Sequence, residues 1–345
     1  MVNIFKSQNK NVEKFTIQKE LIQSIIITQG TTEIKNNEYE DYTMLDTIII
    51  PNSVKTIGDN AFLNCINLKF VEIPDSVELI GKNAFQNCKS IKNIVIPESV
   101  TVIDYAAFMD CTGLISIKLP NSIDSLYHGV FQNCVNLKSI EIPNNVKGIG
   151  IAVFRNCTSL TSVVIPNKVH SIEYKAFENC SSLKSIEIPN SVEIIGADVF
   201  KNCTSLNSVV IPDSVNTIGP NSFENCSSLT SIKIPDNVEL KKNVFKNCGC
   251  DEEVYQPGVT LEKCISVQET TPVSSSLAPT SLAPTSESPN ESGGQTTSTT
   301  QSSNKSNTGL IIAGIFLGGP IFMFLIALIW FKVIGAIRSR QKPQP

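Results

Sequence analysis

Eleven cysteines and two histidines are the residues of this 345-residue chain with most to offer as nucleophiles, bases or metal ligands. Eight of the cysteines fall at 65, 88, 111, 134, 157, 180, 203 and 226, one every 23 residues. Zinc sites need clustered ligands such as paired C-x2-C, and a column with a 23-residue step supplies none, so no metal is expected. These cysteines read instead as small buried hydrophobes facing the axis of a repetitive fold, a role that free cysteine fills readily. Cys248, Cys250 and Cys264 leave the register. In an oxidising compartment one disulfide is expected among them, with Cys250 and Cys264 as the candidate pair. His128 and His170 occupy different places in the repeat and cannot stack into one site. The chain has no G-x-S-x-G, P-loop, G-x-G-x-x-G or H-E-x-x-H, so it offers neither catalytic residues nor a cofactor cradle.

The charge balance narrows the partners. There are 28 basic and 32 acidic residues. Four of the basic ones (Lys332, Arg338, Arg340, Lys342) lie in the last fourteen residues, where there is no acid. Residues 1–308 therefore hold 24 basic against 32 acidic residues, a net charge of −8. Phosphate recognition needs a basic patch, so no nucleic-acid partner is expected for this body.

The same 23-residue step runs through other residue types. Prolines stand at 51, 74, 97, 120, 143, 166, 189, 212 and 235, and phenylalanines at 62, 85, 108, 131, 154, 177, 200 and 223. The last unit is one residue short and carries Phe245 and Cys248. One unit shows the plan. Leu183, Ile186 and Ile188 alternate around Ser185 and Glu187, the period of a half-buried strand. Pro189 removes a ladder donor and ends that strand. Val192 and Ile195 form an apolar corner before the permissive Gly196. The segment 197–203 is predicted to make one helical or 3-10 turn that buries Phe200 and Cys203. A coil this short cannot enclose its own core, so it must stack on neighbours in a solenoid. Ile22, Ile25 and Ile27, with Ile34 and Tyr39, extend the pattern in decayed form, as a capping repeat should. Ten strands are expected in one parallel sheet, ending at 232–234.

The unit L-x-S-I-x-I-P-x-S-V-x-x-I-G-x-x-A-F-x-N-C resembles the BspA-like class of leucine-rich repeat over about residues 22–250. Departures are few: Ser125-Leu126-Tyr127 replaces the I-G region once, and valine precedes phenylalanine in place of alanine in three full-length units, at Val130, Val153 and Val199. The resemblance implies a leucine-rich repeat solenoid of parallel strands with short helical or 3-10 turns. It further implies an adhesive surface protein without catalytic residues.

Asn64, Asn87, Asn133, Asn156, Asn179, Asn202, Asn225 and Asn247, each just before a cysteine, form another column, expected to satisfy backbone groups at the turn. Asn156, Asn179, Asn202 and Asn225 are also glycosylation sequons, but acceptor sites need exposure, and Asn290 and Asn304 are the better candidates. A ligand surface is expected on strand positions outside the core: Phe70, Glu72, Val95, Lys118, Glu141, Val164, Glu187, Val210 and Lys233. Valine and isoleucine favour strands anyway. Their recurrence in this free column also fits a partly apolar face for a protein or glycan ligand on a host, matrix or microbial surface.

The remaining organisation is read from composition. Residues 1–46 form an N-terminal segment with the degenerate cap, 47–250 the repeats, and 251–264 a C-terminal cap. Residues 265–308 hold 21 Ser or Thr among 44 and read as a disordered stalk. Residues 309–331, from Gly309 to Phe331, carry no charge and are long enough for one transmembrane helix. Gly314 and Gly318 give it a weak helix-pairing motif. The basic tail, 332–345, is expected in the cytoplasm by the positive-inside rule, with the repeats outside a plasma membrane. The start of the sequence shows no apolar leader segment, which leaves a tail-anchored scaffold with cytosolic repeats as the alternative.

Overall fold

The computed structural model describes residues 19–262, and these form a succession of short coils with one continuous core. The stalk, the apolar segment 309–331, the basic tail, Asn290, Asn304 and Cys264 lie outside the described residues. Among the described residues no helix is long and apolar enough to cross a membrane.

Each coil contributes one strand to a first row, ten in all among the described residues, from Ser24–Ile26 to Ser231–Lys233. Neighbours pair in parallel with a register of 23, as in Ser185↔Ser208, Ile186↔Val209 and Glu187↔Val210. The expected strand number holds, but the row is divided. No ladder joins Phe70–Val71 to Asn93–Val95, or Ser116–Lys118 to Ser139–Glu141. The central residue of each three-residue strand points into the core while its neighbours face solvent, with Ile94 buried between exposed Asn93 and Val95. Pro189 follows its strand, Ser185–Glu187, by two residues, and its carbonyl accepts the N–H of Val192 in the turn beyond.

Two features differ from expectation. The apolar corner is itself a strand. A second row of two-residue strands, Glu33–Ile34 through Glu239–Leu240, pairs in parallel in the same register. Its inward residues are Ile34, Ile57, Ile80 and their equivalents. Glycine follows in five units because the coils meet there: a Cβ on Gly219 would lie 2.6 Å from the Ala197 nitrogen. Where Tyr127 takes that place, the row narrows to a single bridge, Leu126↔Ile149.

The predicted helical turn is the second correction. The repeats contain no helical or 3-10 segment; among the described residues such turns occur only at Lys19–Leu21 and Glu252–Val254, outside the coils. In the coil around Phe62, the N–H groups of Asn60, Phe62 and Asn64 donate to the next coil, at Lys82, Ala84 and Gln86, over 2.8–3.0 Å. Ala61, Leu63 and Cys65 donate back three residues within their own coil. That alternation requires a left-handed backbone at Asn60 (φ 54°) and Asn64 (φ 62°). A right-handed helix cannot contain it.

The phenylalanines stack from Phe62 to Phe245 with ring centroids 5.1–6.0 Å apart. The stack ends in tyrosines, with Tyr39 at 5.5 Å from Phe62 and Tyr255 at 4.7 Å from Phe245. Beyond the last coil the chain reverses, and Thr260–Leu261 pairs antiparallel with Ser231–Lys233.

Candidate functional site

The turn side of the coils presents groups that satisfy one another. Each column thiol donates to the carbonyl of an aromatic residue 26 positions earlier, as Cys88 does to Phe62 at 3.3 Å and Cys134 to Phe108 at 3.2 Å. The thiols from Cys65 to Cys226 are buried and free. Burial pushes Cys65 and Cys111 up to about 12, and it raises Cys88, Cys134, Cys180 and Cys226 well above the ordinary thiol value. A thiol so rarely ionised is a poor nucleophile and ligand. Among the described residues no group of three or more His, Cys, Asp or Glu side chains could hold a metal ion. Cys250 is disulfide-bonded.

Asparagine does more than expected at its column. Each side-chain amide donates to the carboxamide or carboxylate of the coil before: Asn156 to Asn133 and Asn179 to Asn156, both at 2.6 Å, and Asn202 to Asn179 at 2.7 Å. The backbone there is left-handed, a conformation asparagine tolerates better than most residues. The amide nitrogen a glycan would need is therefore already bonded in the four column sequons. Just before this column runs a row of alternating charge, in which Arg155 meets Glu178 at 2.6 Å, Lys201 meets Glu224 at 2.6 Å, and Lys246 reaches Glu224 at 3.4 Å. The Lys201 ammonium holds the Glu224 carboxyl below its ordinary value.

The two histidines remain apart. His128 sits edge-on to Tyr105, with centroids 5.2 Å apart, and His170 Nδ1 lies 3.3 Å from the Ser191 carbonyl.

The strand side is different. All nine residues expected to form a ligand surface are exposed there. Pairing places five in one uninterrupted file: Glu141, Val164, Glu187, Val210 and Lys233. Val95 and Lys118 are paired in a second segment. Phe70 adjoins Thr47 in a third, and Glu72 lies just past its strand. Val164 is 71% exposed, Phe70 62% and Val95 62%, too open for these residues to serve the core. Ile26 and Ile49 are also exposed and paired, which extends the apolar part of the face toward the N-terminus. Ile26 stands one repeat before Ile49, so the decayed first unit is the signal that points to it.

A groove of about 930 Å³ was not legible in the sequence. It lies across Ser185, Val210 and Ser231 and is bounded by Thr260, Leu261 and Glu262 of the reversed strand. Lys233 Nζ meets Asp213 at 3.3 Å in its wall.

A model of the BspA type leucine rich repeat region matches residues 10–138 and 125–251, with six copies. The chain belongs to the BspA-type leucine-rich repeat family. No curated protein matches it. Among solved structures, a leucine-rich repeat protein from Bacteroides ovatus is 30% identical. That match covers 66% of this chain and 76% of the other, with a TM-score of 0.43. A leucine rich cell surface protein from Faecalibacterium prausnitzii is 27% identical over 66% of this chain and 77% of its own, also at 0.43. BspA-type repeats are typically binding scaffolds without enzymatic activity, and the coils described here have that form: a self-satisfied turn side and an open strand side.

Proposed function

We propose that this protein is a surface-anchored recognition protein whose repeats lie outside the cell and bind a protein partner through the exposed strand face. The observation that carries this reading is the file of residues around Val164 and Val210, aligned in register and open to solvent although the core makes no use of them. Burying such side chains against a partner gains roughly 25 cal/mol per Å² of apolar surface removed from water. Anchoring and orientation are read from the uncharged segment 309–331 and the four basic residues that follow it.

Two experiments test the proposal. Antibody against the repeats should label intact cells; labelling only after permeabilisation would make the protein an intracellular scaffold. On the full chain, Val164→Asp with Val210→Asp should abolish capture of the partner while leaving the melting temperature unchanged, because charge at these positions spoils an apolar contact without entering the core. Undiminished capture by that double variant would remove the strand face from the mechanism.

A further inference from the structure

The coils carry opposite charge on the two sides of the strand face. From the third strand of the first row onward, the segment entering each strand occupies residues 66–70, 89–93, 112–116, 135–139, 158–162, 181–185, 204–208 and 227–231. These contain five lysines and not one Asp or Glu. The turn leaving each strand, residues 52–55 and its equivalents through 236–239, contains eight carboxylates against three lysines. A body with a net charge of −8 thus has one rim that carries no acid in these eight segments, Asp46 being the carboxylate one coil before Lys69 in the same column.

Pairing differs as sharply. On the acidic rim Lys55 meets Glu78 at 2.9 Å and Lys147 meets Asp124 at 3.2 Å. On the other rim Lys69, Lys92, Lys138 and Lys184 are exposed, and among the described residues none has an ion pair. These four occupy one column. From Lys92 onward backbone bonds tie it together, from Ile115 N–H to the Lys92 carbonyl at 2.8 Å and from Thr161 N–H to the Lys138 carbonyl at 3.0 Å. Their separations are one, two and two coils, so the charges lie in a line about 24 Å long at the usual strand spacing. Beside them run the exposed hydroxyls of Ser116, Ser139, Ser162 and Ser185.

We infer that this rim is a binding ledge for a linear sulfated glycan lying along the solenoid axis. The ledge is separate from the apolar file on the strand face and does not depend on that face having a protein partner. A peptide is disfavoured because the rim's backbone groups are already bonded between coils, which leaves no free edge for strand addition. A nucleic acid is disfavoured because Phe70 is the only aromatic side chain available along the rim for base stacking. What remains is a file of ammonium groups beside hydroxyls. Such a file matches a stiff sugar chain with sulfate groups at regular intervals, held by charge-assisted hydrogen bonds.

The test measures full-length protein, in mild detergent, on immobilised heparin, fully desulfated heparin and poly-L-glutamate. Heparin should bind best, and its binding should weaken by about tenfold or more between 0.05 and 0.2 M salt, as release of condensed counterions requires. Replacing Lys69, Lys92, Lys138 and Lys184 together with Gln should reduce heparin affinity at least tenfold. The control variant Lys55→Gln/Lys147→Gln/Lys168→Gln on the opposite rim should stay within twofold, and both variants should melt with the parent. Equal losses in the two variants would overturn the ledge. So would an absence of heparin binding at low salt. Binding to desulfated heparin as tight as to heparin would overturn the sulfate assignment, and tighter binding to poly-L-glutamate would replace the glycan with an acidic peptide.

Discussion

From Phe62 to Phe245 the turn side of this molecule sets ring upon ring, thiol below thiol and amide against amide. The strand side of the same coils presents Glu72, Val95, Lys118, Glu141 and Val164 in succession. The difference follows from which groups can satisfy a copy of themselves. A carboxamide both donates and accepts, so asparagines chain without end. Aromatic rings pack on one another, and a thiol can donate to a carbonyl that already accepts a backbone N–H. On the strand side water is the alternative partner, and nothing in the stacking selects the residue. Like charges stacked in register would repel, and the file there alternates glutamate with valine. Where charge enters the crowded turn side it alternates in sign, from Arg155 through Glu178, Lys201 and Glu224 to Lys246.

Alkaline pH should break the comparison most severely. The column thiols hold their protons more tightly in the folded state. Their contribution is therefore complete below the ordinary thiol value of 9 and is lost as pH climbs toward and past 12. Every tenfold gain in proton affinity on folding is worth about 1.4 kcal/mol. All eight thiols shift in the same direction, so their contributions add against the marginal stability of a folded domain. Circular dichroism should show the repeats melting well before pH 12. A variant with alanine at all eight positions should lose that transition, and an identical alkaline midpoint would remove the thiols as its cause.

Phe154→Ala should come next, costing about 3–5 kcal/mol in urea unfolding through loss of a fully buried ring stacked on both sides. Val164→Asp, ten residues on in the next coil, should change stability by no more than about 0.5 kcal/mol. Comparable losses at the two positions would erase the distinction between the sides.

Much of this is legible in the residues themselves. Pro189, Phe200 and Cys203 with their equivalents set the period, and the alternation about Ile186 marks the first row and its exposed file. The second row escapes such a reading because two residues are too few to show a period of two. Val192 and Ile195 before a glycine look the same whether the segment bends or pairs. The turn misleads for a different reason. A-D-V-F-K-N-C has acceptable helix formers, and only its asparagine column signals the left-handed backbone. The charge row and the bare rim appear only when residues 23 apart are set side by side, for Lys92 and Lys138 are ordinary surface lysines when read along the chain.

The smallest expected difference sharpens the point about asparagine. Asn179→Ala loses the bond to Asn156 and the one from Asn202, and it places alanine at φ 63°. It should cost about 2–3 kcal/mol. Asn179→Gly, free of the backbone penalty, should cost roughly 1–2 kcal/mol in the same denaturation series. Equal costs would show that the amide ladder alone selects the residue.

A fold that adds identical rungs in register has no internal reason to stop, and its last rung offers the same unpaired edge to any other copy. Here that edge is occupied by chain running the wrong way: Thr260–Leu261 lies antiparallel on Ser231–Lys233, and Tyr255 closes the ring stack while its hydroxyl donates to the Leu229 carbonyl at 2.7 Å. A second molecule arriving there meets a reversed strand that cannot template another parallel coil. The reversed strand thus blocks filament growth at this edge, keeping a sequence built on the logic of a fibre as a molecule of finite length.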